Sequence, residues 1–180
     1  MAKAPLVRAA ADADLDAITS IYRHHVLTGT ASFEIDAPDV AEMGRRRASV
    51  MSSNLPYLVA EKEGHIAGYA YAGFYHARRA YRFTVEDSIY VHPDMQQQGI
   101  GDALLSSLIA ACRQRGCRQI VAIIGDSGNV GSIRLHEKHG FGHSGVLRSV
   151  GFKFERWLDT VFMQLSLNSS AECPSINESC

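Results

Sequence analysis

Two glycines, Gly99 and Gly101, stand between a strand-like run that ends at Val91 and the apolar repeat of a helix. Pro93 ends the strand pattern because proline has no N–H to donate to a ladder. A glycine lets a ligand approach the backbone closely, and the first turn of a helix offers unpaired N–H groups at the positive end of its dipole. The segment could therefore bind a pyrophosphate, although a tight turn before an ordinary helix has the same pattern.

The spacing of this loop separates it from two common nucleotide motifs. Gln96-x-x-Gly99-x-Gly101 is not the dinucleotide fingerprint G-x-G-x-x-G, and no Gly-Lys-Ser/Thr follows as in a P-loop. It resembles the Q/R-x-x-G-x-G/A signature with which the GNAT superfamily of N-acetyltransferases holds the pyrophosphate of acetyl-CoA. That resemblance implies a set of residues for the acetyl-CoA co-substrate: Ile89, Tyr90, Val91, Gln96, Gln97, Gln98, Gly99, Ile100, Gly101, Asp102, Asn129 and Ser132.

Glu86 is the candidate general base. It lies in an apolar strand shortly before the glycine loop, and strand alternation places it on the face of Ser88 and Tyr90, opposite Asp87. An amine that attacks a thioester must lose a proton, so such an enzyme needs an acceptor within one water of the nitrogen. A carboxylate in a half-apolar cleft can have its pKa raised toward that task. An exposed glutamate in a salt bridge is the other interpretation of the same position.

His136 is the second candidate for proton transfer, because a departing thiolate benefits from a proton and histidine can donate one. A zinc pair with His139 and a plain surface histidine are the alternatives. No third ligand is evident, and His-Glu-Lys-His is one residue short of the H-E-x-x-H spacing, so we expect no metal. Asn129, just before this helix, can bind an amide of the cofactor or cap the helix, and Ser132 has the same two alternatives.

Several segments in order resemble one branch of that superfamily, the phosphinothricin / methionine sulfoximine N-acetyltransferases. They are Thr30-Ala31-Ser32-Phe33-Glu34, the arginine-rich loop 78–82 with Tyr81, Thr84-Val85-Glu86-x-Ser88-x-Tyr90-Val91, Asn129-x-x-Ser132-Ile133-x-Leu135-His136, and Val150-Gly151-Phe152-Lys153-Phe154-x-x-Trp157-x-Asp159. The resemblance spans about residues 6–167. It implies acetyl transfer from acetyl-CoA to the α-amine of a small amino acid with a tetrahedral polar head, with Glu86 as base through a water and His136 assisting near the thiolate.

The charge of such a substrate provides an independent argument. A carboxylate and a phosphinate-like group call for arginine forks, and Arg78, Arg79 and Arg82 precede Glu86 closely enough to line the same cleft. The residues predicted to bind the amino-acid substrate are Phe33 (as an apolar lid), His76, Arg78, Arg82, Glu86 and Ser88. A polyamine substrate would need acidic residues in place of these arginines. The remaining alternatives are a GNAT enzyme for another small amine or a peptide N-terminus, and a non-catalytic acyl-CoA sensor, which would need neither Glu86 nor His136.

Length and composition limit the class of protein. A chain of 180 residues suits one domain, which we place at 1–167, followed by a Ser- and Asn-rich flexible tail at 168–180. The net charge of −1 implies no general attraction to nucleic acid or membranes, and no apolar run approaches the roughly 20 residues of a membrane span. The first residues lack a secretion signal and the four cysteines show no C-x-x-C spacing, so we expect a cytoplasmic protein with free thiols. The resemblance also implies a homodimer.

The order of elements predicts an α/β fold with a mixed sheet and helices on both faces. Strands are predicted at 6–9, 57–61, 66–74, 83–91, 119–125, 142–147 and 152–165, and helices at about 14–27, 38–51, from the glycine loop to 115, and 130–140. The resemblance adds that the two central strands splay apart, as in the GNAT fold, to admit acetyl-CoA. The triplet Arg45-Arg46-Arg47 is interpreted as a solvated helix face.

Overall fold

Seven strands form one mixed sheet in the computed structural model, which describes residues 4–167. The strands are β1 (Leu6–Ala9), β2 (Tyr57–Lys62), β3 (His65–Phe74), β4 (Thr84–Val91), β5 (Gln119–Gly125), β6 (Gly142–Lys153) and β7 (Arg156–Ser166), in the spatial order β1-β2-β3-β4-β5-β7-β6. The helices are α1 (Leu15–Thr28), α2 (Val40–Ser52), α3 (Ile100–Gln114) and α4 (Val130–Lys138). This confirms the predicted α/β class; the predicted tail at 168–180 lies outside the described residues.

The two central strands, β4 and β5, separate partway along their length. They run parallel and pair from Thr84↔Gln119 to Asp87↔Ala122. Beyond that point β4 stays paired with β3 as far as Val91, and β5 stays paired with β7 as far as Gly125. The facing edges of the two strands therefore part after Asp87, which confirms the predicted splay.

Helices cover both faces of the sheet, and each face has its own core. On one face α1 and α2 pack over β2 and β3, around residues such as Ile18, Ile21 and Tyr69. On the other face α3 buries Leu104, Leu105, Leu108 and Cys112 against the central strands. This is the apolar repeat that predicted the helix. No helix within residues 4–167 is long and apolar enough to cross a membrane.

Alternation along β4 decides which side chains share a face. Val85 and Asp87 are buried, while the residues between and after them are half-buried. Ile89 packs with the α3 core, and Tyr90 packs with the α1 core. The predicted parity of the strand is therefore confirmed: Glu86 and Asp87 belong to opposite faces of the sheet.

The last hairpin differs from the prediction. The chain was expected to turn between 147 and 152, but β6 runs without interruption from Gly142 to Lys153. The turn lies at Phe154 and Glu155, which both adopt positive φ, 51° and 56°. The residues at 148–151, whose types are typical of a turn, form a bulge within β6 instead. The register with β7 shifts there, and the Ser149 N–H donates to the Asp159 carboxylate at 2.9 Å.

The interpretation of the arginine triplet in α2 is wrong for one of its three members. Arg45 is exposed and pairs with Glu42, as expected of a solvated face. Arg47 is only 9% exposed, and its guanidinium donates to Asp12 and to the Ala10 carbonyl. It therefore ties α2 to the segment that precedes α1.

Candidate active site

A cleft of about 900 Å³ opens where β4 and β5 part. The facing strand ends, the glycine loop and the first turns of α3 and α4 line it. All the residues predicted to bind the cofactor line this cleft except Gln98, whose side chain accepts from Lys62 and donates to the Asp94 carbonyl. The cleft is also lined by residues that were not predicted to bind the cofactor, among them Thr30, Ala31, Gly128, Lys138 and Arg156.

The two glycines of the loop serve different ends. Gly99 adopts a left-handed conformation, φ +79°, and a Cβ built there meets no atom within 4 Å, so its open side remains available to a ligand. Gly101 also lines the cleft, but a Cβ there would lie 3.1 Å from the Leu135 side chain. Its missing side chain allows α3 and α4 to pack closely. Gly99, more than Gly101, therefore allows a ligand to approach the backbone closely.

The N-terminus of α4 is closed by Asn129, whose side-chain oxygen accepts the Ser132 N–H at 3.3 Å. The capping alternative for Asn129 is therefore observed. Both residues nevertheless line the cleft, so capping does not remove them from the ligand site.

His136 lines the cleft and is almost completely buried. Its Nε2 lies 3.0 Å from an Asp87 carboxylate oxygen, and its Nδ1 lies 2.7 Å from the Ser132 carbonyl. Burial alone would lower the pKa of His136, but the hydrogen bond and charge of Asp87 and the bond to Ser132 outweigh it and raise that pKa. His139 instead bonds Asp102 of α3, at 3.0 Å. Between residues 4 and 167 no group of three or more His, Cys, Asp or Glu side chains could hold a metal.

Glu86 does not itself line the cleft: it lies one residue before β4 and β5 part, on the α1 and α2 face of β4, and is half-buried. Burial raises the pKa of its carboxyl, and the neighbouring charge of Asp87 raises that pKa further. Its neighbour on the same face, Ser88, lines the cleft directly. The structure thus places Glu86 and His136 at the same level of the sheet but on its two opposite faces.

Phe33 is held over the ends of β5 and β6. A Cβ at Gly125 or at Gly151 would collide with its ring, so both glycines make room for it. The loop that carries Phe33 is anchored by Lys153, which is 4% exposed and donates to the carbonyls of Gly29 at 2.9 Å and Ser32 at 2.7 Å. Sequence reasoning missed this anchor, although a lysine among aromatic residues was a visible signal.

The arginine-bearing loop between β3 and β4 is exposed, and neither His76, Arg78 nor Arg82 lines the cleft. The His76 ring packs between Tyr75 and Tyr81, with centroids 4.3 and 5.0 Å away. The Arg82 guanidinium stacks over the Phe83 ring at 4.4 Å and donates to the Arg79 carbonyl. The structure brings this loop to the Glu86 end of β4 but does not draw its arginines into the cleft.

The fold and the cleft define the class of protein. The acetyltransferase (GNAT) family matches residues 18–141, and the chain belongs to that family. It is therefore an N-acetyltransferase that uses acetyl-CoA, as the glycine loop predicted.

Individual relatives narrow the comparison. The chain is 57% identical to a phosphinothricin N-acetyltransferase of Alcaligenes faecalis, over 91% of this chain and 83% of the relative. It is 41% identical to an L-methionine sulfoximine/L-methionine sulfone acetyltransferase of Salmonella typhimurium, over 92% and 96%. The crystal structure of a phosphinothricin acetyltransferase from Sinorhizobium meliloti in complex with AcCoA superposes with a TM-score of 0.91 at 45% identity, covering 94% of this chain and 91% of that one.

Proposed function

We propose that the chain acetylates the α-amine of a small amino acid with a tetrahedral polar head. The candidates are phosphinothricin, methionine sulfoximine or sulfone, and an arsenic analogue, so the physiological role would be detoxification. The observation that carries the proposal is the cleft between β4 and β5, which the glycine loop lines and which opens one residue beyond Glu86. The names of the relatives support the substrate class.

The residues of the cleft fit acetyl-CoA. The β4 edge at 88–91 and the β5 edge at 123–125 face each other without pairing, so they offer backbone groups to the amides of a pantetheine arm. The open side of Gly99 and the first N–H groups of α3 suit the pyrophosphate. When bound, acetyl-CoA supplies an activated thioester carbonyl.

We assign the proton transfers to two side chains. Glu86 accepts, through a water, the proton that the amine loses as its C–N bond forms, and the raised pKa makes this carboxylate a better base than an exposed glutamate. The C–S bond then breaks with its electron pair on sulfur, and His136 stabilises that negative charge from the wall of the cleft. Ser88, Phe33 and the arginine loop would position the amino acid at the Glu86 end of β4.

Binding of acetyl-CoA at the loop can be tested with two variants of nearly the same shape. Asn and Asp both tolerate the left-handed conformation of Gly99, but only Asp adds a negative charge beside the pyrophosphate. We expect Gly99→Asp to raise the acetyl-CoA Kd at least tenfold over Gly99→Asn, about 1.4 kcal/mol. Calorimetric titration measures both. Equal affinities in the two folded variants would place the pyrophosphate elsewhere.

We further propose a homodimer, built on the β6–β7 hairpin. An exposed apolar surface, the hairpin patch, consists of Val146, Leu147, Val150, Phe152, Phe154 and Trp157. Trp157 alone is 66% exposed, and its ring contacts Phe152 at 5.1 Å. Single exposed apolar residues are common, but such a group on one hairpin at a sheet edge is typical of an interface.

The double variant Phe152→Lys/Trp157→Lys is expected to be a monomer at concentrations where the wild-type chain is a dimer, because it places charges in the hairpin patch. Sedimentation equilibrium measures the difference. Leu6→Lys is the matched control, since Leu6 is 62% exposed at the opposite edge of the sheet. A wild-type chain that sediments as a monomer, or a double variant that dimerises normally, would refute the proposed interface.

The cytoplasm is the proposed location, which agrees with the free thiols of Cys112 and Cys117 within the described part of the chain.

The substrate class is tested by measuring CoA release with a panel of amino acids. Phosphinothricin, methionine sulfoximine, methionine sulfone and an arsenic analogue should exceed their unmodified counterparts, glutamate and methionine, in kcat/KM. A panel in which a polyamine or a peptide N-terminus is preferred would contradict the proposal.

A further inference from the structure

The hydrogen bonds of His136 limit its protonation. Nδ1 lies 2.7 Å from the Ser132 carbonyl, which can only accept, so Nδ1 must carry a proton. Nε2 faces an Asp87 oxygen at 3.0 Å, and an ionised carboxylate also can only accept. With Asp87 ionised, both ring nitrogens are donors and the ring is an imidazolium.

Asp87 is buried as deeply as its partner, with side-chain exposures of 2% for Asp87 and 4% for His136. Removing the shared proton would leave two lone pairs facing each other at 3.0 Å with little water to separate them. The pair therefore holds its proton strongly. The second carboxylate oxygen of Asp87 is buried and has no partner among the described residues, so little else competes for the charge.

The elements around this pair present few other titratable groups. Cys112 of α3 interacts electrostatically with Asp87, and Glu86 does so from the opposite face of β4. On the same side of the sheet β5 presents apolar residues, Ala122 and Ile124, and Phe141 packs edge-on against the imidazole. Asp87 is thus the one carboxylate that contacts His136 in the part of the chain described.

We propose that Asp87 is a positioning residue: it keeps His136 doubly protonated and fixes the orientation of its ring beneath the bond that breaks. The link to turnover rests on the proposed function, whereas the charge state of the pair does not. No bond to Asp87 forms or breaks in this role. The held cation provides a positive charge near the sulfur when the thiolate departs.

The direction of the pH effect follows from the pair. Because the pKa of His136 is raised in the folded chain, the cation persists to higher pH than that of a free histidine, and it is lost as the pH rises through that pKa. Asp87→Asn removes the charge but keeps the shape, so His136 should lose its second proton at lower pH. The alkaline limit of kcat should move to lower pH with it.

The primary test is an NMR titration of the imidazole nitrogens in the chain without acetyl-CoA. In the wild-type chain we expect both nitrogens of His136 to stay protonated at pH values above the usual histidine pKa of about 6.5. In Asp87→Asn the midpoint should fall. A wild-type His136 that is neutral at pH 7 would overturn the inference, and this measurement needs no variant to fold.

Kinetics then test the positioning role. We expect kcat of Asp87→Asn to fall roughly tenfold at neutral pH. This is less than the roughly 10²–10⁴-fold decrease expected when a general acid is removed entirely. The alkaline limit of kcat should also move to lower pH. Glu137→Gln is the matched control, because Glu137 bonds His143 at the same 3.0 Å on the exposed side of α4. If the His136 titration moves in Asp87→Asn but the pH profile of kcat does not, the proposed role of Asp87 in turnover is overturned. A wild-type chain inactive on every amine would defeat the proposed function, while the titration would still decide the state of the pair.

Discussion

Glu86→Gln is expected to lower kcat by about 10²–10⁴-fold while the Kd for acetyl-CoA stays unchanged. Glutamine keeps the size of the side chain but cannot accept the proton of the attacking amine. The matched control is Glu63→Gln, at the exposed β2–β3 turn, which should have wild-type kinetics. Steady-state kinetics at neutral pH measure both. Activity of Glu86→Gln within a few-fold of wild type would reassign the base.

The same variant has an expected effect on stability, of opposite sign. Because burial, and then the charge of Asp87, raise the pKa of Glu86, the folded state disfavours its ionised form. Glu86 therefore costs stability at neutral pH, a cost that disappears as the pH falls below the pKa of an unfolded glutamate, about 4.3. Glu86→Gln should melt at a higher temperature than wild type at pH 7, and the difference should shrink toward pH 4. A lower Tm at pH 7 would show that the carboxylate is held by favourable contacts.

The second large effect is expected at the arginine loop. If Arg78 or Arg82 grips the anionic groups of the substrate, replacement by Ala leaves that charge without its fork. A loss of about 2–4 kcal/mol in transition-state binding should follow, seen in kcat/KM for phosphinothricin-like substrates. Acetyl-CoA affinity should not change, because the loop lies outside the cleft.

Arg79→Ala is the internal control for these two variants. Arg79 begins the short helical turn Arg79–Tyr81, and its carbonyl accepts from Arg82, so we expect its own guanidinium to matter less. Kinetics of the three single alanine variants decide the matter. Small and equal effects at all three positions would mean that other groups hold the anionic head, and the substrate class would have to be inferred again.

Local sequence patterns were sufficient to predict the strand and the helix that position the site. Alternation in β4 correctly placed Glu86 opposite Asp87, and the apolar repeat after the glycine loop correctly predicted α3. Both patterns depend on neighbours within a few residues, which the sequence displays directly. The mixed sheet followed from the order of the elements.

Contacts between distant segments were not predictable in the same way. Three consecutive arginines point in different directions around a helix, so one of them had to approach the protein, but only the packing of α2 identifies Arg47. The partnership of Asp87 with His136 depends on how α4 crosses β4. The bulge near Ser149 contains residues whose types alone would predict a turn.

Acetyl transfer from acetyl-CoA to the α-amine is tested most directly by following the acetyl group itself. The purified chain is incubated with acetyl-CoA labelled at the acetyl carbonyl carbon and with L-phosphinothricin, and the products are identified by NMR. The label is expected to appear in an amide on the α-nitrogen, in amounts equal to the CoA released, and only when both substrates are present. Label that remains on CoA, or that appears as free acetate, would contradict it.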